Sequence, residues 1–233
     1  MAEPITGISS MAMRQVLTEL GDAYGRQSGW EVALVSVGGV DAARRVRDGE
    51  AFDFVALAAD AIDELAAAGR ADSATITELA RSGIAIAIRA GAPHPDVSGE
   101  LAVRAAVLNA RSIGYSTGPS GAHLARLFGR WGIADTIASR LVQAKPGVPV
   151  GALVARGDVE LGFQQLSELM DVPGIEIVGM LPRELQGITT FSAAVCTAAQ
   201  HPSATVALLS FLSSAQADEA IRRHGMEPAR IRS

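Results

Sequence analysis

The chain has 233 residues, enough for one large domain or two small ones, each with a core of its own. Hydrophobic residues make up 48% of it and aromatics only 4%, so the core must be built from Ala, Val, Ile and Leu, a composition suited to helices packed on buried sheet. The formal net charge is -5, and the basic residues are all arginine except Lys145 and form no block, which argues against nucleic acid as a partner.

Residues 5–8 read as a short strand, followed by Ser9 and Ser10 and then a helix whose Met13, Val16, Leu17, Leu20 and Tyr24 fall at helical spacing. A second strand spans 30–37, a helix 42–48 ends at Gly49, a third strand spans 52–58, and Asp60 starts a helix running to Ala68. Strands alternating with helices this regularly imply parallel βαβ units, in which ligands gather at the carboxyl ends of strands. A strand at 82–90 precedes the stiff passage 91–96, which contains Pro93 and Pro95 and is read as a crossing between lobes. A helix at 101–109, a strand ending at Ile113, a helix carrying Leu124, Leu127, Phe128 and Trp131, and an amphipathic stretch at 131–142 come next. After the loop 145–149 the pattern predicts a helix at 150–156 and strands at 160–165, 175–178 and 189–197, the last one able to return to the first lobe. Helices at 202–213 and 216–224 close the chain.

Three strand-to-helix turns share one chemistry: Gly7 to Ser10, Val37 to Val40, and Tyr115 to Gly118. Helix starts leave unbonded N–H groups and a positive dipole end, so such turns can hold an anion without a cationic side chain. Ser116, Thr117 and Ser120 add hydroxyls, and Gly118 and Gly121 let backbone approach a ligand. Gln164 and Gln165 end a strand with side chains that both donate and accept. Taken alone, the turn at 115–118 reads better as an ordinary N-cap, and it is the recurrence of such turns that points to an anion. Bonds to a charged acceptor contribute roughly 1.5–3 kcal/mol each, so four or five together bind tightly. The anion site expected from this pattern comprises Ser9, Ser10, Met11, Arg14, Gly38, Gly39, Val40, Ser116, Thr117, Gly118, Ser120, Gly121, Gln164 and Gln165.

The order and spacing of several blocks resemble the periplasmic molybdate-binding proteins of ABC transporters, within the type II solute-binding superfamily. The blocks are Ser9-Ser10, Gly38 to Arg44, Phe52 to Asp60, Arg156 to Phe163, and the ending that runs from Pro202 through Phe211 to Met226. The resemblance implies two α/β lobes, each a mostly parallel sheet flanked by helices, with the ligand in the cleft between them. Residues 1–88 and 190–233 then form lobe 1 and residues 89–189 form lobe 2. The chain departs from the family where molybdate binders usually carry a serine, having Gly39 and Val40 instead, and it lacks a tyrosine near Gln164. Those losses favour an organic carboxylate over a compact tetrahedral ion.

Two functions follow from the resemblance. One is an extracytoplasmic receptor, a monomer that binds a small anion and serves a transporter's membrane component. The other is an aconitate isomerase, since bacterial aconitate isomerases are similar to the same family. Interconverting cis- and trans-aconitate needs carboxylates pinned and a proton moved between carbons, with His123 or Asp41 as base and Arg14 or Arg44 as clamp. No cofactor is called for, and His94, His201 and His224 are too scattered for a metal site. Cys196 lies in an apolar run and reads as a small core residue. No run approaches the roughly 20 apolar residues that span a bilayer. The first residues lack the pattern of a signal peptide, which leaves open a cytosolic protein or a periplasmic one without its leader.

Overall fold

The computed structural model describes residues 3–230, which form two compact units. One holds the residues up to Ser82 together with those from Thr189 onward, and the other is continuous from Gly83 to Ile188.

Strand β1 (Ile5–Ser10) continues through a single 3-10 turn into α1 (Arg14–Ser28), whose Val16, Leu17, Leu20 and Tyr24 are buried at helical spacing. Gly29 ends α1 in the left-handed region at φ 79, where a side chain would be strained. Next come β2 (Val32–Val37), α2 (Gly39–Arg47), the wholly buried β3 (Phe54–Ala58), α3 (Ala59–Ala67) and β4 (Thr77–Ser82). Strand β5 (Ile84–Arg89) opens the second unit, followed by α4 (Glu100–Asn109), β6 (Ile113–Tyr115) and α5 (Pro119–Arg130). Then come α6 (Ala134–Ile137), β7 (Leu141–Gln143), α7 (Val150–Arg156), β8 (Leu161–Gln165), α8 (Leu166–Leu169) and β9 (Ile175–Met180). The chain returns to the first unit as β10 (Thr189–Val195), α9 (Pro202–Leu212), α10 (Asp218–Arg223) and β11 (Glu227–Pro228).

The first unit's sheet has the order β11-β4-β10-β3-β1-β2. Its β1 pairs in parallel with β2 and β3, while β10 runs antiparallel to β3 and β4. One face packs on α1, α9 and α10 through Val16, Leu20, Phe54 and Leu209, and the other on α2 and α3 through Ala42, Val46, Ile62 and Leu65. The second sheet has the order β7-β6-β8-β5-β9, with β6 parallel to β7 and β8 and β5 antiparallel to β8 and β9. Its core joins Ile84, Ile86 and Ile88 to Phe163, Leu124 and Phe128. On the other face α7 lies close to the sheet, because a Cβ on Gly162 would stand 2.5 Å from Val154.

Three differences from the sequence reading have physical causes. The strand at 84–89 belongs to the second unit, since its alternating isoleucines are completed by β8 and β9, so the first crossing is Gly83 rather than the passage 91–96. Residues 77–81, unassigned from the sequence, form a strand together with Ser82 because β10 and β11 supply its partners. The amphipathic stretch at 131–142 breaks at Gly132, φ 66, into α6, a 3-10 turn and β7.

Candidate functional site

In the first unit two of the three turns emerge side by side. Parallel pairing sets Ser9 opposite Ser36 and Ser10 opposite Val37, so the ends of β1 and β2 leave the same edge of the sheet. Gly39 stands close enough that a Cβ on it would lie 3.7 Å from the Ser10 Cβ. Alternation along β1 gives its two serines different fates. Ser9 turns inward and its Oγ meets Ser36 Oγ at 2.9 Å, so it serves the sheet. Ser10 is buried, and its Oγ has no hydrogen-bond partner among the described residues, a costly state for a hydroxyl. Met11 is half-buried, and Val40 is exposed at 69%.

Arg14 opens α1, is exposed, and forms no ion pair among the described residues. A cation at a helix start works against the dipole, so nothing local favours it there. The other clamp expected from the sequence, Arg44, bonds Asp41 and also reaches Asp48 at 3.2 Å, both on the exposed side of α2. Asp41 is thereby occupied as a surface partner.

In the second unit the turn after β6 is tied up mostly with itself. Ser116 Oγ meets Ser120 Oγ at 2.9 Å and accepts the Gly118 N–H at 3.3 Å. Pro119 starts α5 with its φ already set for a helix. Gly121 is bare for a reason internal to the fold: a Cβ there would lie 1.8 Å from the Ser116 carbonyl oxygen. Of the expected hydroxyls only Thr117 is exposed without a side-chain bond among the described residues.

The remaining candidates sit deeper. His123 Nε2 donates to the Leu185 carbonyl at 2.7 Å, and its ring covers Gly187 so closely that a Cβ there would be 2.6 Å away. Gln165 is buried. Gln164 is buried with both ends of its amide engaged: Oε1 accepts the Val150 N–H at 2.7 Å, and Nε2 donates to Glu168 Oε1 at 2.7 Å. It therefore links the first residue of α7 to a carboxyl group in α8.

Glu168 is a residue that the sequence does not single out. It is half-buried, with no ion pair among the described residues, and burial pushes its carboxyl up to about 7, opposed only by the bond from Gln164. A raised carboxyl of this kind is a marker of functional sites. The one sequence signal is its place between Leu166 and Leu169, just after a buried strand.

Two α/β units carrying hydroxyl-bearing turns at the carboxyl ends of parallel strands define a solute-binding architecture. The chain belongs to the bacterial extracellular solute-binding protein family, whose model matches residues 5–227. It is 38% identical over 236 residues to the aconitate isomerase of Pseudomonas sp, an alignment covering 97% of this chain and 90% of that protein. In fold it is similar to the periplasmic molybdate-binding protein of Azotobacter vinelandii, with TM-score 0.81 and 17% identity over 97% of this chain and 100% of that one. It is also similar to the sulfate-binding protein of Mycobacterium tuberculosis, with TM-score 0.80 and 18% identity over 98% and 88% of the two chains. The fold is that of the two-lobed type II periplasmic binding proteins, as the resemblance implies. Among the described residues no helix is long and apolar enough to cross a membrane.

Proposed function

We propose that this chain binds a small polycarboxylate of the aconitate kind and interconverts its cis and trans isomers. The observation that carries the reading is the buried Ser10 hydroxyl, which lacks a hydrogen-bond partner among the described residues and stands at the end of β1, four residues before the exposed Arg14 that opens α1. A carboxylate suits each of these groups, because it offers acceptors to a hydroxyl and a planar fork to a guanidinium. In the first unit the groups offered to the anion are Ser10, Arg14 and the backbone N–H groups of Met11, Gly39 and Val40. Within the second unit, Thr117 is the exposed hydroxyl of the turn that follows β6. The whole-length identity of 38% with a protein named aconitate isomerase supports aconitate over an inorganic oxyanion. So does the Gly38-Gly39 pair, which leaves more room than a serine would.

The test is proton NMR of cis-aconitate with and without the purified chain. Appearance of the trans isomer at an enzyme-dependent rate is expected. No conversion over a day, at a protein concentration that titration calorimetry shows to bind, would replace this reading with a second one. That second reading is a receptor that delivers the anion to a transporter's membrane component, which the family description favours. On both readings the working place is outside the cytoplasmic membrane.

A further inference from the structure

We propose that Glu168, oriented by Gln164, is the group that takes the proton from one carbon of aconitate and returns it to another. The assignment rests on the isomerase reading above.

Its location comes from topology. Strands β6 and β8 are parallel neighbours, Ile113 opposite Leu161 and Gly114 opposite Gly162, so their carboxyl ends leave the same edge of the sheet. One end carries the Ser116–Ser120 turn and the other runs through Gln164 and Gln165 into α8, where Glu168 is the third residue.

Its surroundings fit the task. The elements packed against α8 are α7, β5 and β8. Their charged residues are Arg156 and Arg89, the last residues of α7 and β5, while β8 has none. Arg156 pairs with Asp158 at 2.9 Å. Among the described residues no cation therefore holds Glu168 ionised. Its single polar contact there, the Gln164 amide at 2.7 Å, uses Oε1 and leaves Oε2 free to move a proton. Because the Val150 N–H holds the other end of that amide, the donor that meets Glu168 Oε1 is itself anchored to backbone. A carboxyl pushed up to about 7 can both accept and release a proton near neutrality.

The step balances without any co-reactant. Aconitate carries a methylene carbon on one side of its central carbon and a vinylic carbon on the other. A C–H bond of the methylene breaks, its proton goes to Glu168 Oε2, and the electron pair spreads over the three carbons and the attached carboxylates. The same proton then bonds to the former vinylic carbon, and the double bond forms on the other side. The product has the same constitution, and its geometry is set by how the carboxymethyl arm was held. His123 and Asp41 have no part in this step, since each is engaged with Leu185 or Arg44.

The experiment measures cis-to-trans conversion by NMR for the wild type, E168Q, E168D and Q164L, with calorimetric binding and thermal unfolding for each. E168Q should convert aconitate about 1000-fold more slowly while binding it within about threefold of the wild type. Wild-type turnover should fall about tenfold per pH unit below about 7, since the base must be ionised to act. Q164L should move that acid limb to higher pH, because the bond it removes favours the ionised carboxyl. E168D should keep measurable turnover. If E168Q does not unfold cooperatively, the pH limbs of wild type and Q164L decide the matter. Wild-type activity with E168Q within tenfold of it, or a wild-type profile flat from pH 6 to 8, overturns the role of Glu168 and leaves the isomerase reading standing. A wild type that converts nothing overturns both.

Discussion

Asp53 is a buried carboxylate that accepts hydrogen bonds from the Thr6 N–H at 2.8 Å, the Thr6 hydroxyl at 2.9 Å, the Gln200 N–H at 2.7 Å and the His201 N–H at 2.8 Å. Burial alone would raise this group, but the bonds from Thr6, His201 and Gln200 outweigh it and hold the carboxyl below its ordinary range. A depressed folded value contributes stability that is present above the unfolded value and disappears as pH falls through the folded one. Replacing Asp53 by Asn is expected to cost about 1.5–3 kcal/mol at neutral pH, the scale of charge-assisted bonds. The gap between variant and parent should begin to narrow below roughly pH 4 and go on narrowing as pH falls through the depressed folded value. Urea unfolding at pH 7 and pH 3 measures both, and an equal penalty at the two values would contradict this account. Nothing in the pattern around residue 53 distinguishes Asp53 from a surface carboxylate, because its partners come from Thr6 and from residues 200 and 201. Glu168 is hidden for the same reason: its environment is made by α7 and β5, which are distant in sequence. Ser10 and Arg14, by contrast, are legible, since a strand end followed by hydroxyls and a helix is a local signal.

Helix α5 shows what the turns require of their glycines. Gly121 faces the Ser116 carbonyl with no room for a methyl group, whereas Gly129 in the same helix is exposed, and a Cβ placed on it would have nothing within 4 Å. Gly121→Ala is therefore expected to cost at least the upper part of the roughly 1–3 kcal/mol range for overpacking, and to abolish anion binding by displacing the turn. Gly129→Ala should instead gain about 0.5–1 kcal/mol through helix propensity. Thermal unfolding of the two variants, with calorimetry on the first, tests the contrast. Two alanine variants of similar stability would mean that the Ser116 contact carries no weight. The sequence reading assigns Gly121 to ligand approach, while the structure gives it to packing of helix on turn. Elements with their own periodicity, such as α1 and β5, can be read directly. Strands β4 and β7 cannot, because Thr77–Ser82 lacks alternation and Leu141–Gln143 is too short to show any.

At the scale of the whole chain, a ligand that binds only the folded state stabilises it by about 2.7 kcal/mol at a hundred times its dissociation constant. For a chain of 233 residues that corresponds to a rise of about 5–10 °C in melting temperature. Aconitate is expected to produce the shift and sulfate at the same concentration is not, as scanning fluorimetry would show. A larger shift with sulfate would favour an inorganic oxyanion. The alternation of strands and helices yields parallel βαβ units from spacing, and the two-lobe arrangement comes from the resemblance, but the boundary between units depends on which sheet completes β5.

That boundary bears on how the protein is made. Strand β10 lies between β3 and β4 in the first sheet, and it is synthesised after the whole of the second unit. Domains generally fold as they leave the ribosome, so the inserted segment can mature while its predecessor waits with two strand edges open. A nascent chain stalled near residue 188 should carry one finished half and one held by chaperones, and the sheet closes when the last stretch arrives.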